Sequence, residues 1–415
     1  MKKMAIGAVI LLAATALPTS AQQLGAKVGK TLPDWKEGYL DIHAVNSGQG
    51  ECSLLIFPDG TTMLLDAGET RPDAMNIVPP KPDSITPPYE TYAKYINHFI
   101  KPTGHKDLDY ALISHFHEDH MCQFRKNAKL APGKPYYLNG FPGVGDKIHF
   151  SKIIDRSWPD YMDAVEPVSK AFPNYLNFVK YQKENNGTKV EKFRPGVNDQ
   201  LVLTRNPKKY TNFEIRNIVA NGVVWTGIDT ITRNYFIPCS ELPKEAWPNE
   251  NMCSIGFRVS YGPFDYFTGG DLPALTPYEW QHIEAPVGAA CGPVDAMKSN
   301  HHMNYDTMGI DLLKRLRPQV IVAHTRKAQQ PDIEVLRSIH SNTKAYAGKV
   351  KDVYTTNMHF ATPYYIWPNV KKMPATQGHI VIRVSPGGEE FYVYALSDTS
   401  DGYEVQSIHG PYKSK

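Results

Sequence analysis

Six consecutive residues carry most of the chemistry legible in this chain: His115, Phe116, His117, Glu118, Asp119 and His120, read as HFHEDH. Three imidazoles and two carboxylates in so short a run would repel one another or sit unpaired if they were only structural. In an extended segment, side chains alternate, so His115 and His117 point the same way while Phe116 turns toward a core. Asp119 and His120 follow in the turn, close enough to serve a second cation. Imidazole nitrogen and carboxylate oxygen suit zinc first, with manganese or iron as alternatives. Two such ions side by side share one water, lower its pKa toward neutrality and polarise a carbonyl or phosphoryl oxygen. Glu118 lies between the ligand positions and is expected to face solvent or a supporting partner.

Other ligand types recur farther along the chain. Asp66 closes the apolar run TTMLLD, Asp271 closes FDYFTGGD, and His301 and His302 follow VDAMKSN. Taken singly, each has a plain reading: a turn aspartate before glycine, or a surface histidine. His324 ends the run QVIVAH and is a further candidate for the same face.

The elements that must position these residues alternate in type. LDIHA, ECSLLIF and TTMLLDA read as strands separated by Gly and Pro-Asp-Gly turns. In YETYAKYINHFIK the positions Tyr92, Tyr95, Ile96, Phe99 and Ile100 recur at helical spacing. LDYALIS is then a short buried strand, with the histidine cluster at its end. Strand–helix–strand order predicts an α/β fold, which places ligands at the carboxyl ends of strands. Regular signals return with the hairpin GFRVSYGPFDYFT. Helices in TMGIDLLKRL and DIEVLRSIH, strands in QVIVAH and DVYTT, and a last hairpin GHIVIRVSPGGEEFYVYAL complete a second α/β half. Residues 139–250 are rich in Pro, Tyr, Asn and Lys, and predict a large insertion or lid over the cleft.

The chain opens with two lysines, an apolar run from Ala5 to Leu17 and small residues at Thr19 and Ala21. That pattern predicts a signal peptide over 1–21 and an exported protein, periplasmic or extracellular. No later stretch approaches the ~20 apolar residues of a membrane span, so no integral membrane segment is expected in the mature chain. A net charge of +3 argues against a dedicated nucleic-acid binder. Eight Lys and Arg against three Asp and Glu between Lys180 and Lys209 read first as a solvated basic face and second as an anion-binding surface. Five cysteines form no C-x-x-C pair and no disulfide framework, though Cys239 and Cys253 are near enough in sequence to bridge. Cys122 reads as a small residue beside the cluster rather than a ligand.

HFHEDH matches the H-x-H-x-D-H motif of the metallo-β-lactamase superfamily, which this chain resembles. It is more closely similar to the C-terminal hydrolase domain of the DNA-uptake channel ComEC and its secreted free-standing relatives, through NMCS (Asn251 to Ser254), TGGD and NHH. The resemblance covers most of residues 38–397 outside the insertion. It implies a four-layer αββα metallo-β-lactamase sandwich with a large insertion, in a domain spanning 35–400. It implies two divalent metal ions: His115 and His117 on the first, Asp119, His120 and His301 on the second, and Asp271 bridging. It makes Asp66 the residue that orients a ligand histidine through its ring N–H. His302 is then a candidate to protonate the leaving group or touch substrate. The third histidine usual for the first metal has no counterpart, and Asn251 is expected to take part of that role.

The function this implies is that of an exported binuclear metallohydrolase. A metal-bound hydroxide would act on a phosphodiester or other phosphate ester, from a small molecule or nucleotide to nucleic acid, with Asp119 and Asp271 in the catalytic machinery. Lactone, amide or β-lactam hydrolysis is the alternative within the same chemistry. A metal-holding binding protein without turnover is the alternative outside it.

Overall fold

The computed structural model describes residues 24–70, 76–124, 128–340, 350 and 352–415. The expected signal peptide lies outside them. Among the described residues, seventeen strands form two mixed sheets. The first contains β1 (Leu40–Ala44), β2 (Cys52–Ile56), β3 (Thr62–Ala67), β4 (Leu108–Leu112), β5 (Phe150–Asp155) and β6 (Lys189–Lys192), extended by the C-terminal β15 (His379–Val384), β16 (Glu390–Leu396) and β17 (Val405–Lys413). Its order is β17-β16-β15-β1-β2-β3-β4-β5-β6, and it turns parallel from β3 onward. The second contains β7 (Phe213–Ala220), β8 (Val223–Trp225), β9 (Thr232–Asn234), β10 (Gly256–Tyr261), β11 (Phe264–Thr268), β12 (Ala296–Lys298), β13 (Val320–Ala323) and β14 (Asp352–Thr355). Its order is β14-β13-β12-β11-β10-β7-β8-β9, parallel from β11 to β14.

The sheets face each other across a core of Leu55, Met63, Tyr110 and Leu112 from one side and Ile215, Phe257, Tyr266 and Val320 from the other. Helices α1 (Pro88–Ile100), α2 (Gly140–Lys147) and α3 (Phe172–Asn185) cover the outer face of the first sheet. Helices α4 (Glu284–Cys291), α5 (Ile310–Leu316), α6 (Ile333–Ile339) and α7 (Thr362–Ile366) cover that of the second. The result is the expected αββα layering. Strand β4 shows the logic locally: Tyr110 and Leu112 enter the inter-sheet core, while Ala111 and Ile113 pack beneath the helices. On α1, the five positions spaced at helical period are all buried.

Residues 139–250 build sheet as well as surface. They supply β5 and β6 to one edge of the first sheet and β7, β8 and β9 to the second, with β7 paired along β10. All five cysteines, Cys239 and Cys253 included, are free thiols.

Candidate metal centre

The expected ligand residues lie at the ends of β3, β4, β11 and β12, where the strands of both sheets run out at one rim. Asp66, next to last in β3, has a positive φ of 59°, a conformation that aspartate tolerates better than most residues. From there its Oδ1 accepts the Ser114 N–H at 2.7 Å, and its Oδ2 accepts the Ser114 hydroxyl at 2.7 Å and lies 2.8 Å from His120 Nδ1. A carboxylate accepts, so Asp66 orients the ring through its Nδ1–H and turns Nε2 toward the cluster, where it would ligate a bound cation. The turn behind it is tight: a Cβ at Gly68 would lie 1.7 Å from Asp119 O, so only glycine lets the two backbones meet.

His120 Nε2 stands 3.0 Å from Asp271 Oδ2 and 3.3 Å from His302 Nε2. His302 Nε2 is in turn 3.0 Å from Asp119 Oδ2 and 3.2 Å from Asp271 Oδ2. The His302 Nδ1–H donates to the His324 carbonyl at 2.9 Å, which again turns Nε2 toward the cluster. On the other side of Asp271, His115 Nε2 is 3.9 Å from Oδ2 and 3.1 Å from His117 Nδ1. Asp271 Oδ2 therefore lies between a pair formed by His115 and His117 and a set formed by Asp119, His120 and His302.

The resemblance implies His301 as a ligand of the second metal; in the structure His302, not His301, lies beside His120 and Asp271. His301 turns instead toward Asn251, with Nδ1 2.7 Å from Asp306 and Nε2 3.2 Å from the Asn251 amide nitrogen. Three successive residues of positive φ, His301, His302 and Met303 at 40°, 55° and 59°, rotate the pair away from the alternation of an extended chain. Asn251 is buried, with an Oδ1 that meets no hydrogen-bond donor. Its neighbour Glu250 accepts the Phe116 N–H at 2.8 Å, which sets Asn251 beside the His115–His117 turn. The His324 ring is turned to Ser53 Oγ at 3.2 Å, so its backbone rather than its side chain serves the site. Cys122 is buried at 3.9 Å from Ala171 O, and burial pushes its thiol pKa upward, which suits packing rather than ligation.

Three residues of the site were not anticipated. Glu51, fully buried, joins His120, Asp271 and His302 in one group whose ligand atoms all lie within 4.8 Å of one another. Lys298, also buried, is 3.2 Å from Glu51 and 3.7 Å from Asp271. Arg326 forms an ion pair with Asp119 through Nη2 and leaves a buried Nε without a partner. Glu51 follows a Gly-Gln-Gly turn at the start of β2, a position that reads equally as an ordinary strand end. Lys298 was legible as an oddity, a lysine ending a strand that is otherwise apolar.

The electrostatics suit a cation. Burial would raise Asp119 and Asp271, but Arg326 on the first and His120 and His302 on the second hold both carboxyls well below the usual range. Burial would lower His120, yet Asp271, Glu51 and Asp66 together hold it well above its ordinary value. His115 is pushed well down by burial and by His120. Apart from their ion pairs with Lys298, Asp271 Oδ1 and both Glu51 oxygens are buried without a hydrogen bond, an arrangement costly for carboxylates alone and natural for ones that face a metal. The donor set of imidazoles and carboxylates therefore fits divalent metal.

No protein-family profile matches the chain, and no curated protein matches it. Among solved structures, the crystal structure of unliganded yeast PDE1 aligns with 80% of this chain and 92% of that one, at 11% identity and a TM-score of 0.37.

Proposed function

We propose that this protein is an exported, metal-dependent hydrolase of phosphate esters, with phosphodiesters as the leading substrate class. The observation that carries the reading is the convergence of His120 and His302 on Asp271 at 3.0 and 3.2 Å, with Asp119 3.0 Å from His302 beneath Arg326. The HFHEDH resemblance adds the expectation of two ions, zinc first. His115, His117 and Asn251 would hold one, and Asp119, His120 and His302 the other, with Asp271 between them and Glu51 beside it. Bound there, the ions would supply Lewis-acid polarisation of a substrate oxygen and acidify a water.

The remaining work falls to this chain's own residues. Asp66 and the His324 carbonyl fix the tautomers of His120 and His302, so neither ring needs to reorient. Lys298 balances the charge of Glu51. Arg326 steers Asp119, and its planar guanidinium is the group suited to a non-bridging phosphoryl oxygen. That cation favours a phosphate ester over the neutral carbonyl of a lactone or β-lactam. His301, held by Asp306 and less buried than His302, is the residue left to face the leaving group. Export rests on the leader, and residues 139–250 are read as bracing the cleft through Glu250.

The test is metal content together with hydrolysis of an aryl phosphodiester, an aryl phosphomonoester and a chromogenic β-lactam, each at defined zinc and manganese. Phosphodiester turnover is expected, His302→Ala is expected to lose both bound metal and turnover, and His301→Ala is expected to keep metal and lose only turnover. Phosphodiester turnover that survives His302→Ala, or β-lactam turnover in its place, would remove the assignment.

A further inference from the structure

A patch apart from the metal cleft has a composition that the hydrolase reading does not use. Around α7, four aromatic rings within eight residues stand in solvent: Phe360 is 80% exposed, Tyr364 84%, Tyr365 64% and Trp367 58%. Monomeric proteins rarely leave so dense a group of rings uncovered without a purpose. The segment itself is firmly seated. Thr362 and Ile366 are buried beneath it, and the Thr362 hydroxyl donates to Ala328 O at 2.8 Å.

Along this stretch of chain the charge has one sign. Lys371 Nζ stands 4.4 Å over the Trp367 ring, and Lys372 beside it is also exposed. No aspartate or glutamate occurs between Asp352 and Glu389. The one other charged side chain of that stretch, Arg383, is buried against Asp41. Protein–protein interface cores are depleted in lysine. Tyrosine and tryptophan, apolar with a polar tip, flanked by lysine in a segment without carboxylates, match instead the level of lipid headgroups.

We propose that the α7 ledge docks this protein on an anionic lipid surface, with Tyr364, Tyr365 and Trp367 at headgroup depth and Lys371 and Lys372 against lipid phosphates. Because Ala328 lies two residues beyond Arg326, docking there sets the same loop that pairs with Asp119 close to the surface. The proposal is independent of the metal chemistry and stands or falls without it.

The experiment uses the full chain carrying Cys239→Ser and Tyr365→Cys, labelled at 365 with an environment-sensitive fluorophore. Vesicles of phosphatidylglycerol and phosphatidylcholine in equal parts are expected to shift the probe to the blue, and headgroup spin-labelled lipid to quench it. Lys371→Glu with Lys372→Glu is expected to raise the lipid concentration for half-saturation at least about tenfold. A probe that stays in water while the protein sediments with vesicles would overturn the proposal, since another segment then carries the binding. So would an equal response to phosphatidylcholine alone, or no binding at all. A shift that follows protein concentration without lipid would assign the ledge to a second copy of the chain instead.

Discussion

Arg156 and Glu250, ninety-four positions apart in sequence, meet through two parallel hydrogen bonds of 2.8 Å, and the arginine is wholly buried. Its remaining N–H groups are satisfied by Ser157, Asn221 and the carbonyls of Asp163 and Val165. Glu250 Oε1 also accepts the Phe116 N–H, so the pair ties the segment after β5 to the backbone between His115 and His117. Removing one partner of a buried pair strands the other's charge. Arg156→Met is therefore expected to cost about 3–5 kcal/mol in urea denaturation. Arg156→Met with Glu250→Met is expected to recover part of that loss, because no charge is then left uncompensated.

Asp66 offers a test of how the site is oriented. In Asp66→Asn, the amide oxygen can still accept from Ser114 N, but the new NH2 group faces His120 Nδ1. Two donors cannot share that contact, so the imidazole proton moves to Nε2 and the lone pair leaves the cluster. Metal affinity is expected to fall about 10–100-fold in competition with a chelator. Nitrogen NMR of the His120 ring is expected to report the change of tautomer, a signature that simple loosening of the fold would not give. Unchanged affinity with an unchanged tautomer would refute the role assigned to Asp66.

What could be read from sequence follows from how local the causes are. HFHEDH was legible because it crowds ligand types at the end of an apolar strand, where α/β sheets collect ligands, whereas Asp66 and Asp271 read singly as turn residues and gained a site role only through the resemblance. The choice between His301 and His302 was not legible. It depends on three consecutive left-handed residues, a backbone excursion that no periodicity announces. Glu51 was missed because its partners His120, Asp271, Lys298 and His302 are remote in sequence and meet it only when both sheets are assembled. Three of the strands within 139–250 were hidden for a related reason. β8 and β9 are three residues each, and β6 is only partly covered, so none of the three shows the sustained alternation of a half-buried strand.

Glu284, the first residue of α4, holds the loop that carries His302. Its Oε1 accepts from Asn300 Nδ2 at 2.7 Å, from Met308 N at 3.1 Å and from the Thr307 hydroxyl at 3.3 Å, while Oε2 accepts from Gly309 N at 2.8 Å. Burial nevertheless outweighs these donors and pushes its pKa up to about 7, from an ordinary value of 4.5. Between those two pH values the folded chain keeps a proton that the unfolded chain releases. The resulting stabilisation is fully present below pH 4.5 and is lost as pH rises through about 7. The loss over that interval is on the order of 3 kcal/mol, at about 1.4 kcal/mol per unit. Glu284→Gln cannot titrate, so its unfolding free energy, followed by urea titration from pH 5 to 8, is expected to lack this decline. Its Nε2 would also oppose the Gly309 N–H, so the variant is expected to be less stable than the parent at pH 5, where the parent carboxyl is protonated and can rotate its acceptor into place. Parallel pH curves for the two proteins would show that Glu284 is ionised throughout and that its four donors, rather than burial, set its charge.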